Sequence, residues 1–184
     1  MRVLLFTLAV CLVTLGLTVG AGAAVLQRAT PHAASATASP AAPGLVDVRT
    51  GRAFSTAGGS GTLTLVSFLA TQPDTAATPS RSQSVVLNSL STQYGGAGLR
   101  VAVVADDPAA VPRPVLLNTS YDWGLRSVVL LDDPGHRAAR HFGVASVPTS
   151  FLLDGAGTVI AHWDGYLLTA KAAAAIKPHL GSGP

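Results

Sequence analysis

Few side chains in this 184-residue sequence could do chemistry, and their spacing limits what that chemistry is. Asp106-Asp107 and Asp132-Asp133 each follow an apolar run. Neighbouring carboxylates suit a hard cation or acid–base work. Each pair, however, runs straight into Pro108 or Pro134-Gly135, where aspartate closes turns and caps helices through its own side chain. Turn formation is therefore expected, and no metal site or cofactor. His136 and His141 are five residues apart and miss the shared helix face that i, i+4 spacing gives a metal pair. With His162 they read as surface or rim histidines. Gly58-Gly59-Ser60-Gly61 lies before an apolar strand instead of after it, so it is a loop and not a hydrolase elbow. Asn118-Thr119-Ser120 is a glycosylation triplet in form only, since such triplets arise often by chance. Trp123 and Trp163 are expected to pack, with partner binding as the second use open to them. The single cysteine, Cys11, stands inside an uncharged apolar run.

That run, Val3 to Val25, is led by Arg2 and has the length of either a long export signal or a membrane anchor. Ala21-Gly22-Ala23 offers a cleavage site, and an uncleaved anchor with its amino end in the cytoplasm is the alternative. Residues 1–26 are accordingly read as signal peptide or signal anchor, placing the rest outside the cytoplasm, at the membrane or secreted. From Gln27 to Pro43 the chain is alanine, serine, threonine and proline, unable to bury a core, and reads as a flexible linker. As a flexible coil it would span about 20 to 25 Å. The formal charge is only +3, one unit of it from Arg2. The bases are scattered without interleaved aromatics, which excludes nucleic acid as a partner.

The globular domain is expected over 44–184. Leu45 to Val48 resembles an edge strand turned by Thr50-Gly51-Arg52. Thr62 to Leu69 (TLTLVSFL) is apolar on both faces and reads as a central strand. Thr78-Pro79 marks a helix start, with Val86, Leu90 and Tyr94 on one face and Gly95-Gly96 at the end. Leu99 to Ala105 is a second buried strand, parallel to the first through a right-handed crossover. A variable segment containing Asn118 to Leu125 follows. Then come a strand at Ser127 to Leu131, a short helix from His136 to Phe142, and a hairpin of Thr149 to Asp154 and Thr158 to Trp163 around Gly155-Ala156-Gly157. A helix from Thr169 to Lys177 ends at Pro178. The fold class is α/β, with a mixed central sheet of about four or five strands flanked by helices.

The stretch GVASVPTSFLLDGAGTVIAHWDG, Gly143 to Gly165, resembles the cis-proline segment of thioredoxin-fold proteins, in particular the TlpA and ResA (redoxin) type of exported or membrane-tethered thiol-disulfide oxidoreductase. Weaker support comes from the Val-Asp-x-x-Thr-Gly-Arg turn, Phe68-Leu69-Ala70-Thr71, Tyr94 to Val104, and Leu130 to Gly135. The resemblance runs from Leu45 to Leu180 and implies a thioredoxin-like fold with Pro148 in cis. It also implies a Phe-Trp-Ala-x-Trp-Cys-x-x-Cys strand end. Here those positions read Phe68-Leu69-Ala70-Thr71-Gln72-Pro73-Asp74-Thr75-Ala76, and both cysteines are gone. Thiol-disulfide exchange needs an attacking thiolate and a resolving sulfur, and peroxidase chemistry needs a sulfenic acid. Neither is available.

The resemblance leaves geometry. Pro148 would keep the strand edge at Val147 open to an extended peptide, forming a groove with Thr71, Gln72, Pro73 and Asp74. Pro148 would equally shape that turn with nothing bound. The expected function is a redox-inactive binding or accessory module for extended segments of extracytoplasmic proteins. The alternatives are an enzyme using non-sulfur chemistry through Thr71, Gln72, Asp74 and Asp106, or a structural domain without a ligand.

Overall fold

A computed structural model of the chain describes residues 44–72 and 77–180, with the side chains of 77 and 78 excepted. The expected apolar segment, the linker, and Pro73 and Asp74 of the corner lie outside the described residues. Among the described residues no helix is long and apolar enough to cross a membrane.

The sheet is built outward from β2 (Leu63–Leu69), whose seven residues are all buried. A strand buried on both faces needs apolar side chains in both directions, and LTLVSFL supplies them. α1 (Ala77–Tyr94) crosses over to β3 (Leu99–Ala105), which pairs parallel with β2 in the register Leu63↔Leu99. Between them, Gly95–Ala97 form a 3-10 turn and Gly98 turns the chain at φ 103. α2 (Arg113–Asp122) leads to β4 (Val129–Asp132), parallel to β3. α3 (Arg137–Phe142) precedes β5 (Thr149–Leu153), antiparallel to β2, and β6 (Val159–Asp164), antiparallel to β5. α4 (Thr169–Ile176) closes the domain.

The sheet has six strands in the order β1-β4-β3-β2-β5-β6, which corrects the expectation of four or five. The edge strand expected at Leu45 to Val48 is present as β1 (Val46–Asp47), only two residues long, which pairs antiparallel with β4 and brings the count to six. Arg113 adds a side-chain tie there, its Nε donating to the Val48 carbonyl at 2.7 Å.

The segment left as variable is also corrected, because most of it belongs to α2. Pro112 caps that helix and Pro114 stands in its first turn, where a missing N–H costs nothing. Leu116, Thr119 and Ser120 are its only buried residues, so the apolar stripe that announces a helix is nearly absent.

Side chains alternate across the central strands, and the pattern breaks in β6, where the register shifts and Ile160 and Ala161 both pack on the larger core. Leu65, Leu69, Val101, Val103, Leu130 and Leu152 meet α1, α2 and α4 in the larger core. Val66, Phe68, Ala102, Val104, Leu131 and Phe151 meet α3 in the smaller one. Phe68, Phe142 and Phe151 fill the smaller core with edge and tilted contacts, their ring centroids 4.8–6.0 Å apart.

Candidate functional site

The candidate site lies where β2, β3 and β4 end and β5 begins. The backbone leaving β2 is tied down by side chains. Ala70 N–H donates to Ser80 Oγ in the first turns of α1 at 3.0 Å. Asp107 accepts three hydrogen bonds, from Thr71 N–H (2.7 Å), Thr71 Oγ1–H (2.5 Å) and Gln72 N–H (3.0 Å). Asp107 and Thr71 are 4% and 6% exposed, so this carboxylate satisfies donors that no water reaches. Charge-assisted bonds of this kind are roughly twice as strong as neutral ones. Thr71 is therefore a structural member of the corner, with its hydroxyl proton committed to Asp107. Gln72 is half-buried, and its Nε2 has no partner among the described residues.

The four aspartates expected to make turns have three different roles. Asp133 accepts from Ala138 N–H (3.0 Å) and Ala139 N–H (2.9 Å), capping α3 as expected. Asp107 instead reaches across to the β2 end, and Asp106 Oδ1 lies 2.7 Å from His136 Nδ1. Burial pushes Asp132 above the usual carboxylate range, and the neighbouring Asp133 charge adds to this.

His136 has φ 51, and among the described residues it is the sole non-glycine with positive φ. It follows Gly135 at φ 72, and its N–H donates to the Asp133 carbonyl at 2.9 Å. The sequence reading placed His136 at a rim but did not find its bond to Asp106, thirty residues away. The available signal was Asp-Asp-Pro-Gly-His, a turn that forces the residue after glycine into a tight position.

Across from the β2 end stands the segment Val144–Val147. The register Phe68↔Thr149, continued by two residues, sets Val147 opposite Ala70. The Val147–Pro148 peptide bond is cis, as the resemblance implied. Pro148 C=O accepts from Gly165 N–H at 2.8 Å, while the N–H and C=O of Val147 have no backbone partner among the described residues. Ala70, Asp106, Asp107, His136 and Val144 to Val147 line an open cleft of ≈ 270 Å³. A second cleft, of ≈ 350 Å³, shares Asp107 and His136 and extends to Asp132 and Asp133. Thus Thr71 and Gln72 form the corner behind the first cleft, Val147 lines it, and Pro148 lies buried beside it.

The other candidates lie elsewhere. His162 stacks on Phe151 with centroids 4.6 Å apart, and its Nε2 is 3.1 Å from Asp164 Oδ1. His141 meets the edge of Phe142, and Trp123 and Trp163 are partly buried against the larger core. Among the described residues no group of three His, Cys, Asp or Glu side chains could hold a metal ion.

No protein-family model matches the sequence, and comparison with curated proteins gives no match. Solved structures do match. StoA from Bacillus subtilis superposes with a TM-score of 0.59 at 16% identity, covering 74% of this chain and 99% of its own. A thiol-disulfide oxidoreductase from Bacteroides fragilis gives 0.59 at 16% identity, covering 75% and 98%. The exposed lipoprotein thioredoxin Etrx1 of Streptococcus pneumoniae gives 0.60 at 16%, covering 73% and 96%. The sheet order, the cis Val147–Pro148 bond and these superpositions agree, and the described residues have a thioredoxin-like fold, in a chain whose one cysteine is Cys11.

Proposed function

We propose that the protein is an exported, membrane-tethered thioredoxin-like domain that performs no thiol-disulfide exchange and binds extended segments of extracytoplasmic proteins. The observation that carries this reading is the cleft itself. Ala70 at the β2 exit and Val147, whose backbone N–H and C=O have no backbone partner among the described residues, line one open cleft. Cys11 is the one cysteine of the chain, so neither a thiolate nor a resolving partner can be assembled from the residues of the domain. An unpaired N–H and C=O on one residue are what an added strand needs for its main-chain hydrogen bonds. Export and tethering rest on the apolar run behind Arg2, and a lipoprotein among the structural neighbours is consistent with them.

Two measurements test the proposal. The full chain, in an insulin-reduction assay beside an active relative, is expected to give no turnover above buffer, and turnover would overturn the loss of redox function. In a nuclear magnetic resonance titration with an unstructured peptide, shifts are expected to gather at Ala70, Gln72, Ser146 and Val147. Shifts scattered over the surface, or none at millimolar peptide, would remove the groove.

A further inference from the structure

Two histidine–aspartate pairs occur among the described residues, and one of them lines the ≈ 270 Å³ cleft. His162 and Asp164 lie on the surface, with side chains 41% and 73% exposed. In the other pair Asp106 is 17% exposed and His136 39%, and both line the ≈ 270 Å³ cleft. Asp106 occupies the Nδ1 side of the ring, so Nε2 is the nitrogen left for anything entering the cleft. The backbone fixes where that ring stands. A left-handed conformation is costly for a non-glycine residue, and the fold holds His136 in it between the Asp133 carbonyl and the first turn of α3. Ser146 and Val147, which line the same cleft, have backbone N–H groups without partners among the described residues.

We propose that Asp106 and His136 form a general-base pair that hydrolyses small uncharged acyl esters in this cleft. Asp106 accepts the Nδ1 proton of the neutral imidazole and so presents the Nε2 lone pair to a water molecule. His136 Nε2 takes one proton from the water as its oxygen bonds to the ester carbonyl carbon. The unpaired N–H groups at Ser146 and Val147 are donors for the negative charge that develops on the carbonyl oxygen. Collapse breaks the carbon–oxygen bond to the leaving group, and the Nε2 proton goes to that oxygen. One ester and one water give one carboxylic acid and one alcohol, with no oxidant or reductant. The carboxylates of Asp106 and Asp107 on the same wall disfavour an anionic ester. This activity goes beyond segment binding and does not depend on it, because it uses the dyad and the cleft but not strand addition.

The test is steady-state hydrolysis of 4-nitrophenyl acetate and of the anionic 4-nitrophenyl hydrogen succinate by the full-length chain. His136→Asn is the main variant, since asparagine tolerates the left-handed backbone and keeps the fold. Positioned general bases contribute about 10²–10⁴-fold, so wild type is expected to exceed equimolar free imidazole by at least about 10²-fold and to prefer the neutral ester. His136→Asn should lose nearly all of that rate, and His162→Ala none. Asp106→Asn should lower kcat about tenfold or more with KM unchanged, the signature of a positioning residue. Wild type no faster than free imidazole, an unimpaired His136→Asn, or an equal loss in His162→Ala would each overturn the proposal. Peptide shifts at Val147 that persist in His136→Asn keep the binding reading separate from this one.

Discussion

The two ends of the central sheet are sealed in different ways. At the end where β2 and β3 begin, backbone closes on backbone. Leu63 N–H donates to Gly98 O, Gly59 N–H to Gly155 O, and Thr62 N–H to Gly59 O, all within 3.0–3.2 Å. Glycines make this approach possible. A Cβ at Gly98 would stand 2.7 Å from the Gly61 carbonyl oxygen, and one at Gly155 would collide with the Gly59 oxygen. At the opposite end carboxylates do the sealing. Asp107 holds the β2 exit, Asp133 holds α3, and Asp106 holds His136. Asp154 and Arg100 reinforce the first seal, accepting from Ala156 and Thr158 N–H and donating to the Ser55 and Ala57 carbonyls, but at the second end the sealing carboxylates stand beside a cleft. That difference makes the second end the candidate site.

The largest test removes the carboxylate that holds the corner. Asp107→Ala strands two backbone N–H groups and a hydroxyl, and at about 1–3 kcal/mol per buried orphan it should cost about 3–4 kcal/mol in a denaturant melt. A loss under about 1 kcal/mol would mean that the corner is not held this way. At the other end, Gly155→Ala forces a methyl group against the Gly59 carbonyl and should cost about 1–3 kcal/mol by the same measurement. Equal tolerance at both ends would erase the contrast.

Between the ends, Ser67 Oγ and Ser150 Oγ are 2.8 Å apart and fully buried. Ser67→Ala alone should cost about 1–2 kcal/mol, and the Ser67→Ala/Ser150→Ala pair less than the sum of its singles, since removing both hydroxyls leaves no orphan. The smallest effect belongs to Asp132. Its folded-state affinity for a proton is raised, so it subtracts stability as pH rises through the window between the ordinary carboxylate value and the raised one. Asp132→Asn should therefore raise the melting midpoint slightly at neutral pH, and the gain should vanish in acid below that window.

The fold was largely legible because its signals are local. TLTLVSFL can only be a strand buried on both faces, and Gly143 to Gly165 carries its turn glycines and Pro148 in sequence order. α2 escaped because Leu116 is its single buried apolar side chain. The corner was half legible. Thr71 and Gln72 stand at the β2 exit and Val147 lines the cleft, but what holds this end of the sheet is long-range. Asp107 acts on a residue thirty-six positions earlier and Asp106 on one thirty positions later. A pattern of neighbours shows the two aspartates only as a pair running into Pro108.

The division of aromatic residues between the two cores gives the molecule a one-sided optical label. Trp123 and Trp163 both rest on the α1, α2 and α4 layer, while Phe54, Phe68, Phe142 and Phe151 belong to the α3 layer. Indole emission consequently watches one layer of the domain and is nearly blind to the other. If heating loosened the α3 layer first, circular dichroism would fall while fluorescence stood still, and the two halves of the sandwich would announce their separation in a single cuvette.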